Sequence, residues 1–186
     1  MTLDFCNIRG LYNNLKAVHY HPQTAKPALF FLTETQISLL SRNQIFGNFQ
    51  EHFFVPQAGV CVYIREDVCS RPLGSLEGRY ISILWLHIHS DDDPRVYACL
   101  YRSHSTNDET DQLIEHIQMA TDSVLQQILS AEIIILGDSN SHHTEWLVSL
   151  TTDHAGRYFY NFALAYDLTQ LVVSPTSIPD GIAFPV

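Results

Sequence analysis

The chain has 186 residues, enough for one ordinary domain with its own core and too few for two full ones. Apolar residues make up 46% and charged residues 16%, which excludes disorder as the bulk description. Ten Lys and Arg stand against twenty Asp and Glu, a net charge of −10. That balance argues against a protein that coats nucleic acid by neutralising phosphates, but not against an enzyme that meets one phosphate through a carboxylate-held metal.

Leu3 to Ile8 reads as a short opening strand closed by Arg9-Gly10. Asn13-Asn14 is placed to cap a short helix carrying Leu15 and Val18, with Pro22 expected to stop it. Ala28 to Thr33 is an apolar run behind Lys26-Pro27, the signature of a strand buried on both faces. Gln36 to Phe49 reads as a loop-like stretch, followed by strand candidates at His52 to Val55, Gly59 to Arg65 and Tyr80 to His89. Asp91-Asp92-Asp93-Pro94 is a turn signal, and Arg95 to Tyr101 is expected to pair with the preceding strand as a hairpin.

Leu113, Ile117, Ala120, Val124 and Ile128 recur at three- and four-residue steps, predicting a helix between Asp108 and Leu129. Thr106 and Glu109 fit a capping box at its start. Glu132 to Leu136 predicts a buried strand that Gly137 ends, then a helix over Ala155 to Tyr166 and a short strand over Gln170 to Val173. Continuous apolar strands alternating with helices give an α/β class, two packed sheets covered by helices on their outer sides.

The longest apolar run, Ile81 to Ile88, is interrupted by Ser82 and His87 and is strand-sized, against the roughly 18 to 20 residues of a membrane span. The start, Met1-Thr2-Leu3-Asp4-Phe5, has neither a basic nor an apolar leader pattern, so no secretory signal and no membrane partner are expected. Cys6, Cys61, Cys69 and Cys99 are scattered, which reads as reduced, mostly buried thiols in an intracellular protein.

Polar residues gather where the apolar strands stop: Asn7, Glu34, and Asp138 with Asn140. Strand ends open onto a sheet rim, where α/β folds commonly bind ligands. Carboxylate and amide oxygens there suit a hard ion such as Mg²⁺. Other polar residues have plainer readings. His142 and His143, neighbours on a loop, point apart, and His87 with His89 reads as buried or edge-exposed. Trp146 reads as a packing anchor, and the Asp91 to Asp93 run lacks the glycine and spacing of a calcium loop.

Five stretches in order carry a more specific signal: Phe5 to Leu11, Leu32 to Thr35, Gly59 to Tyr63, Cys99 to Ser103, and Leu136 to His143. Together they resemble the endonuclease/exonuclease/phosphatase superfamily. The Asn140 to Trp146 stretch and Ser174-Pro175-Thr176 are similar to the endonuclease domain of non-LTR (LINE-type) retrotransposons. The resemblance implies a four-layer α/β sandwich that fills residues 1–186 as a single domain. Its implied activity is Mg²⁺- or Mn²⁺-dependent nicking of DNA, so that a 3′-hydroxyl primes a linked reverse transcriptase; a monomer with nuclear access is expected. It implies Glu34 and Asn7 as metal ligands, with Asn7 also in the catalytic set. Asp138 would orient or deprotonate the attacking water. Asn140 and Tyr101 would contact the phosphoryl group, with His142 beside them on the substrate. Other readings are a superfamily phosphatase and a non-catalytic remnant.

Two departures stand out. The family continues with an Asp-bearing strand and then a Ser-Asp-His, and no Ser-Asp-His occurs in this sequence. Asp153-His154 precedes a helix and does not replace it. The resemblance therefore implies a copy incomplete at the C-terminus and weakened in activity. Ser139 stands where the family usually has Phe; a large-to-small change of that kind costs about 3–5 kcal/mol for Phe to Ala, and a hydroxyl there needs a partner.

Overall fold

A computed structural model describes residues 1–36, 51–55, 59–78, 81–89, 93–103, 106–146 and 149–172. All of the expected Gln36 to Phe49 loop but Gln36, most of the Asp91 to Asp93 turn and the Ser174-Pro175-Thr176 stretch lie outside them. In chain order the elements are β1 (Leu3–Asn7), α1 (Leu11–Ala25), β2 (Leu29–Thr33), β3 (Glu51–Val55), β4 (Val60–Ile64) and β5 (Ser70–Pro72). After a single 3₁₀ turn (Gly74–Leu76) come β6 (Ile83–Ile88), β7 (Arg95–Tyr101), α2 (Asn107–Gln127), β8 (Glu132–Asp138) and α3 (His154–Ala165).

The strands form two four-stranded sheets, ordered β1-β2-β4-β3 and β5-β6-β7-β8. Each has one parallel pair at one edge. β1 lies beside β2 with Asn7 opposite Thr33, and β7 beside β8 with Tyr101 opposite Asp138. Parallel neighbours require a crossover, supplied by α1 in the first case and α2 in the second. This puts the C-terminal ends of β1, β2, β7 and β8 to work at the same rim.

Three apolar clusters make four layers. Leu29, Phe31, Val60 and Val62 meet Leu84, Leu86, Tyr97 and Cys99 between the sheets. Phe30, Leu32 and Cys61 take the other face of the first sheet against Leu11 and Val18 of α1. Ile83, Trp85, Val96 and Ala98 take the outer face of the second, under Ile117 and Val124 of α2 and Phe159 of α3. The four-layer α/β sandwich is therefore present, and the period-two alternation of β2 and β6 explains it: both faces of each strand are buried. No helix among the described residues is long and apolar enough to cross a membrane.

Several expectations need correction. α1 starts at Leu11 behind Gly10, without a side-chain cap, and Asn14 instead donates to the carbonyls of Ile8 and Gly10 (2.7 and 3.1 Å). Pro22 does not stop the helix. It sits in the last turn, where its missing N–H costs one bond, and the chain leaves only at Lys26 in the left-handed conformation. β8 runs through Gly137 to Asp138 and is half-buried rather than buried, because it is an edge strand. Gln170 to Val172 form no strand, and Leu171 is 79% exposed; Val173 lies outside the described residues. The three-residue β5, too short for a periodicity signal, was not expected from sequence. The capping box at Thr106 and Glu109 is present as expected.

Candidate active site

Glu34 follows β2 in the left-handed conformation (φ 54°). Its peptide is held from two sides. Gly10 and Leu11 donate to the carbonyls of Glu34 and Thr35 (2.7 and 2.9 Å), and Thr35 donates to the Gly59 carbonyl (3.0 Å). Gly59 itself has φ +64° and packs its Cα side against the Glu34 backbone. The strain at Glu34 is thus over-determined by its neighbours, a pattern common where a side chain must point into a site.

Asn7 ends β1, and its side-chain amide donates to both Glu34 Oε1 (2.9 Å) and Asp138 Oδ2 (2.6 Å). The two carboxylates can be no further apart than these two bonds laid end to end. Among the described residues neither forms an ion pair. Tyr101, at the end of β7, lies within the electrostatic reach of Glu34 and Asp138. Burial, then the negative charges of Glu34 and Asp138, push its phenol above the ordinary range. The hydroxyl therefore stays protonated, a donor at neutral pH.

Asn140 takes the left-handed conformation (φ 44°) just past β8. Its peptide N–H donates to Asp138 Oδ1 (3.1 Å), and its side-chain amide donates to the Arg102 carbonyl (2.6 Å). One amide hydrogen of Asn140 is thus committed and one remains.

His142 turns to a different partner. Its backbone N–H and its Nδ1 both lie 3.1 Å from Asp153 Oδ2, while Asp153 Oδ1 caps α3 by accepting from Gly156 N–H (2.6 Å). Burial works to raise the Asp153 carboxyl, but the Gly156 and His142 hydrogen bonds and the His142 charge outweigh it and hold the group below its ordinary range. His143 stacks on Tyr160 (centroids 4.1 Å, 10°), and Trp146 packs edge-on to the same ring, so this pair points apart and Trp146 anchors a helix. Ser139 finds its partner in the Ser141 hydroxyl (2.6 Å).

Among the described residues no three His, Cys, Asp or Glu side chains are grouped to hold an ion. The set at the rim is smaller: two carboxylates joined by a carboxamide. That fits Mg²⁺ or Mn²⁺ chemistry, since Mg²⁺ is typically bound by one or two carboxylates and keeps its remaining positions for water and phosphate. The residue that sequence reasoning passed over is Arg102. It lay inside a quoted stretch, and a cation directly after a strand-end tyrosine was the available signal.

A family model described as endonuclease-reverse transcriptase matches residues 96–182. No curated protein matches the chain in sequence. Among solved structures, the endonuclease domain of TRAS1, a telomere-specific non-LTR retrotransposon, superposes with a TM-score of 0.63 at 16% identity, covering 88% of this chain and 70% of that one. The Xenopus laevis APE2 catalytic domain gives 0.63 at 13% identity, covering 87% and 67%. The Leishmania major AP endonuclease LMAP gives 0.61 at 13% identity, covering 88% and 66%. The chain spans about two thirds of the length of these domains.

Proposed function

The chain has the fold of the endonuclease/exonuclease/phosphatase superfamily, and from that premise we propose that it is a divalent-metal-dependent DNA endonuclease which hydrolyses one phosphodiester bond. The observation that carries the reading is the meeting of Asn7, Glu34, Tyr101 and Asp138 at one rim. The endonuclease–reverse transcriptase description of the matching family and the retrotransposon endonuclease among its structural neighbours support it.

Glu34 and Asn7 would hold Mg²⁺ or Mn²⁺, whose chemistry at this place is to neutralise charge on the phosphate. Asp138, held by Asn7 through one oxygen and by the Asn140 peptide through the other, accepts a proton from the attacking water or holds it in line. The protonated Tyr101 hydroxyl and the free amide hydrogen of Asn140 donate to phosphoryl oxygens. His142, on the same loop, meets the DNA strand beyond. Nicking leaves a 3′-hydroxyl, the end that a linked reverse transcriptase would extend. The 186 residues act as one monomeric domain, working inside the cell with access to nuclear DNA.

Because no Ser-Asp-His occurs in the sequence, the reading includes slow turnover: the phosphate lacks a histidine donor of that kind. The same observation favours a second reading, a domain that binds DNA without cutting it. Supercoiled plasmid with Mg²⁺, with EDTA, and with the Asp138→Asn chain tests both. Slow nicking that EDTA and Asp138→Asn each abolish supports the first; binding without nicking supports the second; nicking indifferent to Asp138→Asn sinks the first.

A further inference from the structure

Arg102 makes more hydrogen bonds around the site than any group discussed above, yet binds none of its carboxylates. Its Nη1 donates to the carbonyls of Asn140 (2.8 Å) and Ser139 (3.1 Å), and its Nε donates to Thr110 Oγ1 (3.0 Å) on the first turn of α2. Its own peptide joins in: the N–H donates to the Asp138 carbonyl (2.8 Å), and the carbonyl accepts from the Asn140 side chain (2.6 Å). Thr110 is fully buried, and its hydroxyl hydrogen goes to the Thr106 carbonyl (3.1 Å). Only a lone pair of Thr110 is left for Arg102, so the direction of that bond is fixed.

Among the described residues the guanidinium forms no ion pair, although it is half-buried. A partly desolvated cation without a counter-ion is costly unless its N–H groups are spent elsewhere. Here three of the five are spent, one on Thr110 and two on successive carbonyls of a turn whose Asn140 sits in a conformation that non-glycine residues rarely adopt. We propose that Arg102 is a positioning residue: it clamps the turn 138–140 to the start of α2, and so sets where Asp138 and Asn140 stand relative to Asn7 and Glu34. A planar fork can bridge two carbonyls and a hydroxyl at fixed angles; a lysine ammonium cannot. The catalytic consequence rests on the phosphodiesterase reading, whereas the clamp itself does not.

The ¹⁵N-labelled 186-residue chain tests it, with Arg102→Gln, Arg102→Lys and, in case those fail to fold, Thr110→Val. In the unsubstituted chain the Asn140 side-chain amide gives a dispersed, slowly exchanging signal. Arg102→Gln speeds that exchange at least tenfold and shifts the signal toward its free-amide position. Arg102→Lys recovers only part of the difference, and the amides of β2 and β4 stay in place. On plasmid with Mg²⁺, Arg102→Gln lowers kcat at least 30-fold with KM changed less than threefold. An Asn140 signal indifferent to all three substitutions overturns the clamp. If the unsubstituted chain does not nick, the phosphodiesterase reading fails separately, and the Asn140 signal alone decides the proposal.

Discussion

Asn7 and Asp138 stand 131 positions apart in the chain and are joined by a 2.6 Å hydrogen bond that also ties the two sheets together at their rim. The same amide nitrogen holds Glu34, so two negative charges are gathered around one neutral donor. Such an arrangement gains when a cation arrives. Mg²⁺ at about 100 times its dissociation constant should stabilise the fold by about 2.7 kcal/mol, roughly 5–10 °C for a domain of this size. Glu34→Gln should remove most of that gain while leaving the melting temperature in EDTA unchanged or raised. Differential scanning fluorimetry with and without Mg²⁺ reads it, and an equal Mg²⁺ response in both chains would show that the ion binds elsewhere.

Gly137 lies one residue before Asp138 with φ +135°, and a Cβ built there would stand 1.9 Å from the Leu100 carbonyl oxygen of the neighbouring strand. Both the conformation and the contact exclude a side chain. Gly137→Ala must therefore push β8 off β7 and carry Asp138 with it. A loss of about 3–5 kcal/mol is expected, in the range reserved for backbone clashes in a core. Urea unfolding measures it. A variant that keeps full stability would mean that β8 leaves the sheet before residue 137.

This glycine also shows what the sequence could and could not tell. Read locally, a glycine after Glu-Ile-Ile-Ile-Leu is a strand terminator; only the position of Leu100, 37 residues earlier on the adjacent strand, makes it a required member of β8. The same holds for Pro22, a helix stop by local rule but tolerated in a last turn. α2 was legible because its burial recurs at every third or fourth residue, and β2 because every one of its residues is buried, which leaves a continuous apolar run in the sequence. Asn7, Glu34 and Asp138 with Asn140 were legible as strand-end chemistry, whereas the place of Tyr101 among them was carried by the family resemblance alone. The role of Arg102 was not legible, because two of its three side-chain bonds go to main-chain carbonyls, which leave no trace in side-chain identity.

Asp153 carries two tasks on one carboxylate, capping α3 through Gly156 and tethering the loop after Asn140 through His142. Removing an N-cap costs about 0.5–2 kcal/mol, and the loop bonds place Asp153→Ala at the upper end, roughly 4–8 °C in melting temperature. His142→Ala should cost less, since the His142 side chain is 62% exposed. Thermal melts of the two variants should therefore rank Asp153→Ala below His142→Ala. The reverse order would assign the loop's stability to the histidine ring.

His87 is buried on β6, and among the described residues neither ring nitrogen has a hydrogen-bond partner. Burial first, then the neighbouring His89 and Arg71, hold its imidazole below the usual range near 6.5. Above pH 6.5 the ring is neutral in both folded and unfolded chains and has no effect on the balance. As pH falls below that value the unfolded chain takes up the proton first, so stability drops until the folded chain's lower pKa is reached. Asp153 acts in a separate window: its depressed carboxyl adds stability that is lost only as pH falls below the ordinary 3.8. Urea midpoints at pH 7.5 and 5.5 isolate the histidine. His87→Leu should remove up to about 1.4 kcal/mol of the loss between them, the limit set by one pH unit of unequal protonation. If the His87→Leu chain loses stability in parallel with the unsubstituted one, the slope belongs to another group.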